Sequence, residues 1–169
     1  MQMVKQEPGS NQCGLCVVAM LTDQTREEML AKFPDDETKA DYEWLNYLRF
    51  DLGLTLEDPR DDQDFDRSLT CDGNVFNGHF KLPLGHRYYC NIAVPENARL
   101  RAVAVEQCRP TVVDGEITHA VAIDERGIVF DPSTTAPMTG TCTLEQYVRH
   151  NHATLGQARI ASCYRVISK

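Results

Sequence analysis

The run Cys13-Gly14-Leu15-Cys16-Val17-Val18-Ala19-Met20-Leu21 carries no charged residue on any side. A helix that is apolar all round has to be covered all round, so this stretch predicts a fully buried helix with other elements packed about it. The helix would start just after Gln12, which puts the Cys13 thiol in its first turn. Unpaired N–H groups and the positive end of the helix dipole favour a thiolate over a thiol there. A chain of 169 residues is long enough to bury such a helix in one core, and a single domain over 1–169 is expected.

The net charge of −8 argues against a nucleic-acid-binding surface, which needs a basic stripe. Acidic residues concentrate at Glu57-Asp58 and over Asp61–Asp66. Their spacing fits no calcium loop, and a solvated loop is the plain reading. The N-terminus lacks the apolar core of a signal peptide, and no apolar run approaches a membrane span. The seven cysteines (13, 16, 71, 90, 108, 142, 163) are an odd number without secretory context. Reduced thiols in a cytoplasmic protein are therefore expected rather than a disulfide framework.

Helix signals fill the first third of the chain. Thr25-Arg26-Glu27-Glu28 is a capping box, and Met29, Leu30 and Phe33 follow before Pro34. Trp44, Leu45, Tyr47, Leu48 and Leu52 recur at helical spacing, predicting a helix from about Ala40 to Leu52 closed by Gly53. The segment from Leu56 to about Gly85 has no clear period and reads as a long loop able to shape a binding cleft. Strand patterns follow at 87–94, 111–113, 118–123, 128–131 and 160–167, while 98–106 suits a strand or a buried helix. Thr143-Leu144-Glu145-Gln146 opens a last helix. Helices first and a mainly antiparallel sheet second predict an α+β domain.

Between two of these strands sits Asp124-Glu125-Arg126-Gly127. Glycine in fourth place suits a type I turn followed by a left-handed residue, the three-residue hairpin loop. In that register Asp124 faces Ile128 and Asp131 faces Val121. Asp131 then becomes a diagonal neighbour of His119 on the same face. A solvent-facing histidine and a turn-initiating Asp-Pro are the plain structural readings of these two residues. With a helix-start cysteine upstream, they also supply a base and a carboxylate to orient it.

The residues resemble a known family. Cys13-Gly14-x-Cys16-x-x-Ala19-Met20 looks like the cysteine motif of the bacteriocin-leader-processing, double-glycine-type cysteine peptidases, a branch of the papain-like fold. Thr118-His119-Ala120-Val121-Ala122-Ile123 and Val129-Phe130-Asp131-Pro132 look like that family's histidine and aspartate motifs. The resemblance implies a papain-like domain with Cys13 as nucleophile, His119 as base and Asp131 as the residue orienting it. It implies a protein or peptide substrate, and neither cofactor nor metal. It further implies a glutamine ahead of the cysteine whose amide helps hold an oxyanion. The family's glutamine usually lies six residues before the cysteine. Gln6 lies seven before Cys13, with Pro8-Gly9-Ser10 able to absorb the extra residue, and Gln12 is the other candidate. The His-to-Asp spacing is shorter than the family's. No transporter segment accompanies the motifs, so leader processing during export is not implied.

Other classes stay open at this point. Cys13 and Cys16 have the spacing of a redox dithiol, although no convincing strand precedes them as a thioredoxin-like fold requires. The same pair has zinc-ligand spacing, but no second Cys-x-x-Cys or His-x-x-x-His pair follows. Cys71, His79, His86 and Cys90 are irregularly spaced, and His150 and His152 suit a helix C-terminus. A papain-like shell also serves as a non-catalytic effector or host-protein-binding module. A Cys-His-Asp triad likewise supports acyl transfer and deamidation as well as hydrolysis. Oligomeric state is not legible in the sequence.

Overall fold

A computed structural model describes residues 1–34, 41–58, 70–72, 75–77, 82–95, 111–113, 115–133, 139–155 and 158–168. Its helices are α1 (Cys13–Leu21), α2 (Arg26–Lys32), α3 (Asp41–Asn46) and α4 (Leu144–Leu155). Its strands are β1 (Thr55–Glu57), β2 (Thr70–Asp72), β3 (Val75–Asn77), β4 (Arg87–Pro95), β5 (Thr111–Val113), β6 (Glu116–Ile123), β7 (Val129–Phe130) and β8 (Arg159–Ile167). Six of them form one antiparallel sheet in the order β1-β8-β4-β6-β5, with β7 also pairing β6. The architecture is α+β.

Alternation along β6 divides the sheet between two cores. Ala120 and Ala122, with Tyr89 of β4, face α1, Met29, Trp44 and Leu48. Ile117, Val121 and Ile123 face Leu144, Tyr147 and Val148 of α4. Small side chains at 120 and 122 let α1 sit close on the strand, and Leu15 to Ala19 are entirely shielded from solvent. The all-apolar run is thus explained by its place between the sheet and the α2–α3 layer.

Gly14 has an equally specific cause. A Cβ there would meet Cδ1 and Nε1 of Trp44 at 2.4 and 2.6 Å, so only glycine lets the indole close over the first turn of α1. Phe33 meets the same indole edge-to-face at 5.2 Å, tying α2 to α3. The Thr25 capping box forms as the sequence indicates, with Glu28 N–H on the Thr25 hydroxyl and Thr25 N–H on the Glu28 carboxylate.

Two sequence expectations need correction. The helix expected over 40–52 is α3 followed by a π-helical turn over Tyr47–Asp51, with Leu52 N–H bonded to Tyr47 O at 3.1 Å. The widened turn rotates the stripe beyond Leu48, leaving Phe50 79 % exposed and Leu52 at the surface, not in the core. The loop expected from Leu56 instead begins inside β1, which pairs with β8, and holds the β2–β3 hairpin. Three-residue strands are too short to show a period. The segment 98–106, the acidic run 61–66, His79 and Cys108 lie outside the described residues.

Candidate functional site

The hairpin from β6 to β7 takes the register expected from its turn. Ala122 pairs with Phe130 and Ile123 with Val129. Gly127 adopts φ +79°, its N–H bonded to Asp124 O at 2.9 Å. The buried Asp124 carboxylate accepts the N–H groups of Arg126 (3.0 Å) and Ile128 (2.9 Å), which closes the loop from within. Asp131 consequently falls beside the strand that carries His119, and Nε2 of the imidazole lies 2.7 Å from Asp131 Oδ1.

His119 lies just past the described pairing of β6 with β5. β5 covers β6 as far as Thr118 and β7 takes over at Ala122, so among the described residues no strand pairs with 119–121 on that side. The Cys13 thiol, carried by the first turn of α1, lies close enough to the His119 side chain to act on its charge. With Nε2 engaged by Asp131, Nδ1 is the ring nitrogen left to the sulfur. Asp131 is 5 % exposed and His119 21 %, so the imidazole rather than the carboxylate is open to an incoming molecule.

Electrostatics follow from this packing. Burial opposes the imidazolium of His119, but the Asp131 carboxylate, with a further contribution from Cys13, outweighs it. The imidazole is held well above its ordinary range. Burial likewise opposes charge on Asp131, and His119, the Tyr147 hydroxyl and the Ser133 N–H together bring its carboxyl below the usual range. The first turn of α1 contains no acidic residue, and Gln12 makes no side-chain cap. The positive helix end is therefore left to the thiol.

The loop ahead of Cys13 is braced from α2. Arg26 donates through Nε to Gln12 Oε1 at 2.9 Å and pairs with Glu7 at 2.6 Å. Gln12 is thereby turned toward α2. Gln6 is buried, its N–H bonded to Pro132 O at 3.0 Å and its Nε2 to Ser10 O at 3.4 Å. It spans the ground between the residue after Asp131 and the turn before α1.

Several partners of Asp131 were not legible in the sequence. Tyr147 of α4 donates its hydroxyl to Oδ2, and the Ser133 N–H reaches Oδ1 at 2.7 Å. The Asp131 N–H goes to the Thr139 hydroxyl at 2.8 Å, and Lys5 Nζ bonds the carbonyls of Asp131 and Ser133 at 3.1 and 2.6 Å. Burial holds the Lys5 ammonium below its ordinary value. The Thr143 motif locates the helix of Tyr147 but says nothing of what its hydroxyl meets.

Neither Cys13 nor Cys16 is in a disulfide, and Cys16 is wholly buried within the α1 core. Among the described residues, no group of three or more His, Cys, Asp or Glu side chains is placed to hold a metal ion. No helix among them is long and apolar enough to cross a membrane. Comparison of the chain with family profiles, characterised proteins and solved structures found no match.

Proposed function

We propose that this chain is a cysteine-nucleophile hydrolase of papain-like architecture, cleaving a peptide, isopeptide or related amide bond through a thioester. The observation that carries this reading is the His119–Asp131 hydrogen bond with Cys13, at a helix start without a side-chain cap, near enough to act on the imidazole. The placement of the thiol helix against an antiparallel sheet that carries the imidazole supports the papain-like part of it. A reducing, cytoplasmic compartment, which keeps Cys13 a thiol, belongs to the same reading.

In this mechanism the Cys13 thiolate attacks the carbonyl carbon and forms the C–S bond. The Cys13 N–H and the Gln6 amide hold the resulting oxyanion. The His119 imidazolium passes its proton to the amine nitrogen as the C–N bond breaks. Neutral His119 then takes a proton from water, whose oxygen displaces the sulfur and releases the acid. Asp131 keeps the ring oriented throughout.

Iodoacetamide labelling of the folded chain, read cysteine by cysteine by mass spectrometry, tests the premise. Cys13 should react first and remain fast below about pH 8. His119→Ala should slow Cys13 by about tenfold or more without changing the other cysteines. Uniformly slow labelling, or a Cys13 indifferent to His119, would sink the hydrolase reading.

A further inference from the structure

Resting on that reading, we infer that Tyr147 is a positioning residue for the Cys13–His119–Asp131 series. It occupies one oxygen of the Asp131 carboxylate, and so fixes which oxygen, and how much of its charge, faces His119.

The two carboxylate oxygens have different partners. Oδ1 takes His119 Nε2 and the Ser133 N–H, and Oδ2 takes the Tyr147 hydroxyl. Rotation of the carboxylate would break contacts on both sides at once. The Tyr147 ring is buried beside Leu144 and Val148 of the same helix, so core packing aims the hydroxyl. A phenylalanine would fill that core equally well, and a buried hydroxyl is costly unless paired. The pairing is with Asp131.

Burial, and then the Asp131 charge, push the Tyr147 phenol well above its ordinary range, so it serves as a donor and not as a base. The titratable and charged groups facing Asp131 are His119 from β6, Tyr147 from α4, Lys5 from the N-terminal segment and Cys142 from the turn before α4. Cys13 of α1 acts on it through His119. Of these, the groups bonded to the carboxylate itself are His119 and Tyr147. A phenol that shares the carboxylate weakens its pull on the imidazolium proton. Without it, the His119–Asp131 pair holds that proton more tightly.

The test is an NMR titration of the full chain labelled with ¹⁵N-histidine, the His119 signal being assigned by its loss in His119→Gln. In Tyr147→Phe the His119 titration should move upward by about half to one pH unit. That is a part of the roughly one to two units that a hydrogen bond to a charged group is worth, because the lost bond is to Asp131 and reaches His119 only through it. Thermal unfolding run alongside separates this from loss of fold. Should the phenylalanine variant not fold, Tyr147→3-fluorotyrosine supplies a stronger donor of nearly the same size and should move the titration downward. A His119 titration unmoved by either variant, or moved in the opposite sense, overturns the role of Tyr147. If His119 instead titrates near its ordinary value in the wild type and ignores Cys13→Ser, the triad reading itself fails.

Discussion

Asp131 lies one residue beyond the end of its strand and diagonal to His119, yet its Oδ1 meets the imidazole Nε2 at 2.7 Å. Directly opposite residues on this hairpin are 121 and 131, by continuation of the Ala122–Phe130 pairing. The diagonal contact suits an imidazole, whose length carries Nε2 across the offset. With Nε2 so engaged, Nδ1 is the ring nitrogen left for Cys13.

The dyad gives folding stability a pH signature of opposite sign at its two ends. Asp131 has a lowered folded pKa, so its contribution is present above the ordinary value of 3.8 and fades as pH falls below it. His119 has a raised folded pKa, so its contribution is full below the ordinary value of 6.5 and fades as pH rises through the folded value. Thermal unfolding across pH should therefore show the gap between wild type and Asp131→Asn narrowing in acid. The gap to His119→Gln should narrow on the alkaline side. Gaps that stay constant with pH would contradict the assigned shifts.

Gly14→Ala puts a methyl group into the Trp44 indole. The contact is with a ring held between α1 and Phe33, so relief requires moving an element and not a flexible side chain. A loss of about 1–3 kcal/mol is expected, together with slower Cys13 labelling because the first turn of α1 is displaced. Denaturant unfolding and alkylation read the two effects. A variant as stable as wild type would mean the indole has room to withdraw.

Asp124→Ala removes the acceptor that closes the hairpin loop. Two backbone N–H groups lose their partner, so a destabilisation of about 1–3 kcal/mol is expected. Labelling of Cys13 should slow as well, since the turn sets the register that brings Asp131 to His119. Arg126→Ala is the control. Its side chain is 74 % exposed, and its ion pair with Asp124 should contribute less than about 1 kcal/mol. Equal effects of the two substitutions would show that the ion pair, and not the backbone closure, holds the loop.

Much of this arrangement is local and therefore readable from the chain. The buried character of α1 follows from nine residues without a polar face. The Thr25 box and the Gly127 turn each depend on a few neighbouring positions, and each forms as its residues indicate. The hairpin register then brings His119 and Asp131 together, because a strand alternates faces residue by residue. At Leu52 the helical spacing misleads because the π-helical turn over Tyr47–Asp51 shifts the phase of the stripe, and nothing in the composition marks such a turn. The three-residue β1 escaped for the simpler reason that a strand this short carries no period.

What the sequence alone determined is therefore one helix that must be covered on every side, one thiol at its start, and one hairpin that pairs an imidazole with a carboxylate. Only the tertiary structure decided that they meet. Cys13 comes from α1 and His119 from β6, and the packing of that helix on the sheet brings them near each other. Tyr147 reaches Asp131 only because α4 packs on the far face, and Lys5 does so because the N-terminal segment lies along residues 131–133. Such contacts join residues distant in sequence through packing that no local pattern encodes. The chemistry proposed for Cys13 rests on them.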